Sequence, residues 1–200
     1  MGMSNKEDVK TWLTSPMGLV GLNGVTEAFK DTKFSEKGKL FLDLYLNKEA
    51  ELVKVFLAEL RKAHKDNLKY QSSHGSTGDK DLPVELEIKA GKHPKFIKDP
   101  SLFVKLRFTS SAEYPPKLFD GEGDLIQNVV NRIPYGTAAT VNFAAAPHND
   151  MNAGNKGGTS LYMSNITIAK MPDGSSLTER RIAKVEESDF ASSGVDIDLI

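Results

Sequence analysis

The stretch from residue 89 to residue 108 combines fixed positive charge with aromatic rings. It contains six Lys or Arg residues against one acidic residue, Asp99. The cations are Lys89, Lys92, Lys95, Lys98, Lys105 and Arg107, and the rings are Phe96, Phe103 and Phe108. Because cations hold phosphates and rings stack on bases, this combination is typical of a groove for single-stranded nucleic acid. An ordinary solvated basic surface is the alternative interpretation.

The end of this stretch alternates as a β-strand does, so one side of it must be buried. The apolar face comprises Leu102, Val104, Leu106 and Phe108. Phe103, Lys105 and Arg107 fall on the opposite face. A sheet that buries the first set would therefore present to solvent an aromatic ring flanked by two cations.

Residues 39–47 form the clearest predicted strand. Its buried face comprises Leu40, Leu42, Leu44 and Leu46. Phe41 and Tyr45 lie two strand positions apart on the other face, on either side of Asp43. They would form a second platform for stacking bases unless a helix or a loop covers them.

An amphipathic helix is predicted to follow this strand, over residues 48–69, with Asn47 as its N-cap. Its apolar stripe is expected at Leu52, Phe56, Leu60 and His64, with Val53 and Leu57 beside it. Acidic residues come early and basic residues late, which suits the helix dipole and explains the charges without a function. We expect His64, at the end of the stripe, to be partly exposed.

Further strands are indicated along the chain, which makes the predicted fold mainly β. They cover residues 17–25, 83–89, 134–146 and 159–171, the last with a bulge at Ser164 and Asn165. Glycines 18, 21 and 24 indicate bulges or close backbone approach at the corners of a small barrel. Five or six strands and one substantial helix predict a barrel or sandwich with the helix packed against it.

The composition predicts one packed domain that works inside a cell. Two hundred residues with 39% hydrophobic content suit a single core. The chain has no cysteine, which excludes disulfides, thiolate catalysis and cysteine-based zinc sites, and fits a reducing compartment. No apolar run reaches the length of a membrane span, and the first ten residues lack the apolar core of a signal peptide. We therefore expect a soluble intracellular protein.

Charge is distributed unevenly along the chain, although the net charge is only −1. Residues 1–184 carry 26 basic and 22 acidic residues, a net charge of +4. The remaining acids are Glu186, Glu187, Asp189, Asp196 and Asp198, and no Lys or Arg follows Lys184. A basic body with a purely acidic end indicates a tail that competes with DNA or docks on partners.

Residues that would support catalysis or metal binding form no convincing group, so we predict no catalytic site, no metal and no cofactor. The four histidines are scattered. His148, Asn149 and Asp150 are adjacent and would be the centre of a metal-dependent enzyme, the rival hypothesis, but such residues in a polar loop usually form turns. A second alternative is a non-enzymatic structural or assembly protein of a virus, with no nucleic-acid binding.

Four segments of the chain also occur in an informative order. They are DTKFSEKGKLFLDLYLNKE, PKLFDGEGDLI, PYGTAATVNFAAAPHND with GNKGGTSLYMSNITIAKM, and the acidic end FASSGVDIDLI. This order resembles that of the single-stranded DNA-binding proteins of short-tailed and related bacteriophages, which are OB-fold proteins with acidic C-terminal tails. The resemblance covers most of residues 16–200.

The resemblance implies a five- to six-stranded OB-type barrel with one substantial helix and a flexible acidic tail. It divides the chain into a flexible arm (residues 1–15), an OB-fold DNA-binding domain (residues 16–172) and the tail (residues 173–200). It further implies sequence-independent binding of single-stranded DNA in phage replication, recombination and repair. A homodimer, the host cytoplasm, and replication partners such as polymerase and helicase or primase, bound through the tail, are implied as well.

The site residues that we predict fall into three groups: those that hold phosphates, those that stack on bases and those that bind partner proteins. Phosphates would be held by Lys92, Lys95, Lys98, Lys105 and Arg107, with Lys33 and Lys156 flanking the groove from loops. Bases would stack on Phe103 and on Phe41 or Tyr45, with Phe96 beside them. Partner proteins would bind the tail at Glu186, Glu187, Asp189, Phe190, Asp196 and Asp198. Without DNA, the tail would lie over the groove.

Overall fold

A computed structural model of the chain describes residues 9–26, 29–31, 35–88, 94–127, 129, 132–150 and 154–172. As predicted, the fold in these ranges is mainly β with one substantial helix. The elements are β1 Thr11–Thr14, β2 Gly18–Asn23, β3 Phe29–Asp31, β4 Ser35–Asn47, α1 Glu51–Ser72, β5 Val84–Glu85, β6 Phe103–Ser111, β7 Lys117–Phe119, β8 Ala138–Asp150 and β9 Lys156–Lys170. No helix among these residues has the length and apolar character needed to cross a membrane.

Five of the strands form a partly closed ring, as expected for the predicted barrel. The ring runs β2–β4–β6–β9–β8 and returns to β2. Its pairings are antiparallel except that of β6 with β9, where Thr109 lies opposite Tyr162. The short strands β1, β3, β5 and β7 are attached outside the ring, on β8, β4, β6 and β9 respectively.

The core of the barrel follows from the pairing of β4 with β6. Nine consecutive residue pairs join the two strands, from Lys39 opposite Ser111 to Asn47 opposite Phe103. The buried side chains are Leu40, Leu42, Leu44 and Leu46 of β4, and Val104, Leu106 and Phe108 of β6. Leu102 does not join them, because it ends a 3₁₀ turn and is 39% exposed. Asp99 caps this turn by accepting a hydrogen bond from the backbone N–H of Ser101 at 2.9 Å.

A β-bulge at Ser164 lets both halves of β9 face the core, as the sequence predicted. Asn142 pairs with Asn165 and Phe143 pairs with Met163, so Ser164 has no opposite residue. The buried residues are Leu161 and Met163 before the bulge, and Ile166 and Ile168 after it. The buried positions are odd-numbered before the extra residue and even-numbered after it. Without that residue, the apolar side chains of one half of the strand would point away from the core.

Helix α1 begins at Glu51, three residues later than predicted, and Ala50 stands at its N-cap. The Asn47 side chain instead accepts a hydrogen bond from the Glu49 backbone N–H, at 3.0 Å, in the turn before the helix. Leu52, expected in the apolar stripe, is 76% exposed. The buried stripe comprises Val53, Phe56, Leu57, Leu60, Ala63, His64, Asn67 and Gln71. Ala63, Asn67 and Gln71, which were not predicted to be buried, join the stripe because the helix packs against both β8 and β9.

The second half of α1 is fixed to the start of β9 by buried polar groups. His64 is only 8% exposed, so the expectation of a partly exposed side chain was wrong. Its Nδ1 lies 2.9 Å from Thr159 Oγ1, and Asn67 Nδ2 donates to the same oxygen at 3.0 Å. Gln71 packs on Gly157, where an added Cβ would lie 2.5 Å from Gln71 Oε1. The absence of a side chain at Gly157 therefore leaves room for Gln71, which would have to shift if a Cβ were present.

The described part of the predicted N-terminal arm belongs to the sheet. Thr11–Thr14 form β1, in which Trp12 pairs with Ala144 of β8. Leu13 packs against the core, whereas Trp12 is 67% exposed. The strand forms because threonine and tryptophan favour extended backbone and Leu13 supplies an anchor. Residues 1–8 and the predicted tail, residues 173–200, lie outside the described residues.

Stability is expected to fall as pH falls through the His64 titration. Burial lowers the pKa of His64 below its ordinary value, and the nearby carboxylates of Asp79 and Asp81 only partly oppose this effect. The unfolded chain, with a histidine pKa of about 6.5, then binds more protons than the native one. The urea midpoint should therefore be lower at about pH 5.5 than at about pH 7.5.

Replacing the buried histidine, in His64→Gln, should remove most of this pH dependence. His74→Gln, at an exposed position, is the matched control and should retain it. An equal pH dependence in the His64→Gln variant and the parent chain would contradict the assignment.

Candidate nucleic-acid interface

A groove of 730 Å³ lies on the outer face of β4 and β6. It is lined by Leu22, Asp43, Tyr45, Pro94, Lys95, Phe96, Lys105, Arg107 and Tyr135. These residues come from β2, β4, β6, the loop before the 3₁₀ turn and the turn before β8. Three cations stand against one carboxylate, so the lining is positively charged and also carries three aromatic rings.

Arg107 is held flat in this groove by Asp43, its cross-strand partner. Its Nε donates to Asp43 Oδ1 at 2.7 Å and its Nη2 donates to Oδ2 at 2.8 Å. The hydrogen bond to Asp43 raises the pKa of Arg107, which stays charged. The guanidinium also lies 5.2 Å from the centroid of the Phe41 ring. Because the Arg107 side chain remains 52% exposed, it offers a rigid, planar, charged surface to a ligand.

The two lysines of the groove differ in their partners. Lys105 forms an ion pair with Glu85, which lies opposite it in the pairing of β5 with β6. A phosphate at Lys105 must therefore compete with a carboxylate. Lys95 is exposed on the loop, and no carboxylate in the described part of the chain pairs with it. Its charge is thus the more available of the two for a phosphate.

A small second core covers part of the outer face of the barrel. Ile97 is 1% exposed and packs with Tyr45, which is 4% exposed. Phe96 meets Tyr45 edge-on, with ring centroids 6.2 Å apart, and Phe103 packs against the same cluster. Of the two alternatives for this face, a covering loop is the one observed. Tyr45 is covered because the apolar side chain of Ile97 anchors the loop over it, whereas Phe103, predicted to face solvent, is partly buried.

Tyr45 forms the floor of the groove rather than a stacking platform. Its ring lies directly over Gly21, where any side chain would collide with it, which confirms the predicted close approach at this glycine. Burial, assisted by the negative charges of Asp43 and Glu85, raises the pKa of Tyr45 to about 12. The hydroxyl therefore keeps its proton at physiological pH and remains a hydrogen-bond donor.

The structure brings together only some of the residues predicted to bind DNA. In the groove are Tyr45, Lys95, Phe96, Lys105 and Arg107. Beyond its lining are Phe41 beneath Arg107, Phe103 in the second core, Lys98 exposed on the loop, and Lys156 opposite Asp150 at the start of β9. Outside the described residues are Lys33, Lys92, Glu186, Glu187, Asp189, Phe190, Asp196 and Asp198.

Sequence reasoning missed Tyr135 and Leu22 on the opposite side of the groove. Tyr135 is 55% exposed and precedes Gly136, which has a φ of 81°. The Gly136 N–H donates to Val20 O at 2.8 Å, which fixes this turn to β2. The Pro-Tyr-Gly sequence was a usable signal, since it predicts a turn that presents an aromatic side chain. Leu22 gave no comparable signal, because an outward leucine in a strand looks like any other apolar position.

Of the residues of the rival enzyme hypothesis, Asp150 is engaged in an ion pair. Asp150 Oδ2 lies 2.5 Å from Lys80 Nζ in an ion pair. His148 belongs to β8, opposite Gly158 of β9. Across the ranges that the structure describes, no three His, Cys, Asp or Glu side chains come together as a metal site would require.

Comparison with known proteins gives a result for the fold. No protein-family model and no curated protein matches the sequence. Among solved structures, gp2.5, a single-stranded DNA-binding protein of bacteriophage T7, is similar with a TM-score of 0.60 and 13% identity, over 96% of this chain and 98% of that one. The single-stranded DNA-binding protein of bacteriophage Enc34 in complex with single-stranded DNA gives 0.59 and 12%, over 81% of this chain and 87% of that one. The chain therefore has the OB-type fold of phage single-stranded DNA-binding proteins, which confirms the fold that the resemblance implied.

Proposed function

We propose that this protein binds single-stranded DNA, without sequence preference, in the groove on β4 and β6. One observation supports the proposal above all. β4 and β6 are the second and third strands of the barrel ring, and the outer face of these two strands is where OB folds bind oligonucleotides. On that face the chain places its positively charged groove. The Enc34 protein, which shares the fold, has been solved with single-stranded DNA.

The side chains of the groove suit the two kinds of contact that a single strand needs. Lys95 and Lys105 would bind phosphates, which every sequence presents equally. The exposed ring of Tyr135 and the planar guanidinium of Arg107 would stack on bases. Both oxygens of Asp43 accept hydrogen bonds from Arg107, so the carboxylate fixes the guanidinium in place. Contacts of this kind tolerate any base.

The wider role that we propose follows the resemblance in the sequence. The protein would act without enzymatic activity in the replication, recombination and repair of phage DNA, in the cytoplasm of the bacterial host. It would do so as a homodimer that reaches polymerase and helicase or primase through its acidic tail. The similarity of fold to phage proteins of this kind supports the proposal.

Binding to a labelled oligo-dT, measured by fluorescence anisotropy, tests the function directly. We expect micromolar or tighter binding that weakens steeply with salt and is poorly competed by duplex DNA. The salt slope should be about 0.7 for each phosphate contact on a single strand. Absence of binding at low salt, with or without residues 186–200, would end the proposal and favour a structural or assembly protein.

A matched pair of lysine variants locates this binding in the groove. Lys95→Ala should weaken binding and reduce the salt slope by about 0.7, because one phosphate contact is lost. Lys62→Ala makes the same change of charge on α1, away from the groove lining, and should leave the slope unchanged. Equal effects of the two variants would place the DNA elsewhere.

Tyr135 is expected to stack on a base. Tyr135→Ala should therefore weaken oligo-dT binding by about 1–3 kcal/mol, the usual value of one stacked base. The salt slope should not change, because no phosphate contact is removed. Tyr114→Ala removes a tyrosine that is 78% exposed outside the groove, and it is the matched control. A loss below about 0.5 kcal/mol, the scale of an ordinary surface substitution, would argue against stacking.

The acidic tail is proposed to cover the groove when DNA is absent. Five acidic residues follow residue 184, and their charge complements that of the groove lining. Deleting residues 186–200 should therefore tighten oligo-dT binding at low salt, and the difference should shrink as salt screens the attraction. An unchanged affinity at low salt would refute the competition. The anisotropy titration of full-length and shortened chains measures both results.

A further inference from the structure

A second site is indicated on the other side of the barrel, where two exposed aromatic rings flank a small residue. Trp12 of β1 pairs with Ala144 of β8, and Ala144 pairs with Tyr162 of β9. Trp12 is 67% exposed and Tyr162 is 42% exposed. Ala144 lies between them at 4% exposure and forms a low floor. An exposed tryptophan beside an exposed tyrosine is unusual for a solvated surface and typical of a binding site.

The strand spacing leaves room for one more ring between the side chains of Trp12 and Tyr162. Adjacent strands are about 4.8 Å apart, so the backbones of Trp12 and Tyr162 are separated by about 10 Å. Two stacking contacts of about 3.5 Å each need about 7 Å between ring planes. The methyl group of Ala144 leaves this space open, and a cleft of 420 Å³ lies here. Among the residues described, neither ring stacks on another aromatic side chain.

The cleft is connected to the DNA groove by a continuous row of cross-strand neighbours. Tyr162 lies opposite Thr109 of β6, and Thr109 lies opposite Phe41 of β4. Phe41 is the ring beneath Arg107, at the edge of the groove. The row from β4 to Trp12 crosses four strand spacings, or about 19 Å around the barrel. A flexible single strand that leaves the groove at Arg107 can follow this row without leaving the surface.

We infer that the cleft between Trp12 and Tyr162 takes one base of the bound strand, stacked between the two rings. This inference rests on the proposed function and extends the DNA path beyond the face of β4 and β6. The rest of the lining comprises Lys10, Ala146, Met163 and Ser164, so the cleft offers a largely apolar slot for a base with a cation near its backbone. Stacking does not read the base edges, so the slot preserves sequence tolerance.

The test uses Trp12 itself, because it is the only tryptophan in the chain. Full-length protein is titrated with labelled oligo-dT, and the anisotropy of the label and the fluorescence of Trp12 are followed together. We expect the tryptophan to be quenched over the same concentration range in which anisotropy rises. Tyr162→Ala should weaken binding about fivefold or more, as expected when one stacking partner is lost. Tyr114→Ala should change neither signal.

A second variant fills the slot and keeps both rings. Ala144→Leu should reduce the quenching of Trp12 and weaken binding, with circular dichroism to check that the chain is folded. If this variant does not fold, Tyr162→Ala alone decides the question.

Three outcomes overturn the inference and separate it from the proposed function. Tight binding by anisotropy with unchanged Trp12 fluorescence, or with quenching that Tyr162→Ala does not alter, leaves the groove in place and removes the slot. Absence of binding by anisotropy removes both. A change in Trp12 fluorescence that depends on protein concentration without DNA would assign the cleft to an interface between two copies of the chain.

Discussion

The pairing of β4 with β6 is the constraint on which the rest of the structure depends. Nine residue pairs in one register send alternate side chains inward as leucines and outward as the groove. A shift of one residue would exchange the two faces, placing Asp43 and Arg107 in the core and the leucines in solvent. The same register sets Asp43 opposite Arg107, so a single choice of strand alignment determines both the stability of the barrel and the geometry of its charged platform.

The outer face of β4 and β6 is partly covered by a loop and partly open to solvent. The loop anchored by Ile97 packs on the buried ring of Tyr45 and the partly buried ring of Phe103, while Arg107 and Lys105 stay partly exposed. These apolar contacts, with the edge-on packing of Phe96 on Tyr45, stabilise the loop. The loop in turn carries Lys95 and Phe96 to the rim of the groove. The aromatic residues of this face therefore have two roles: Tyr45 and Phe103 support the loop, whereas Tyr135 is exposed to solvent.

Much of this arrangement could be predicted from the sequence, because it depends on local periodicity. Alternation identified β4 and β6 and their buried sides, and a bulge was predicted at Ser164 and Asn165, where the structure has one at Ser164. Periodicity does not show what packs on an outward face, which is why the sequence left open whether Tyr45 would be exposed or covered. Nor does periodicity predict the buried contact of His64 with Thr159, because these residues are 95 positions apart in the chain. Tyr135 was missed for the same reason, since its turn reaches the groove only through β2.

The bulge at Ser164 has a consequence for how this chain tolerates change over evolutionary time. On its N-terminal side Tyr162 points outward, and on its C-terminal side Ile166 points inward, so the alternation of buried and exposed side chains reverses at Ser164. Loss of a single residue elsewhere in the strand would turn the side chains between the deletion and the bulge to the opposite face of the sheet. Loss of Ser164 itself would give β9 one continuous alternation, so the buried side chains of one half of the strand would point away from the core. Length variation in related chains should therefore be confined to the loops, whereas substitution in the strand is limited mainly by side-chain size.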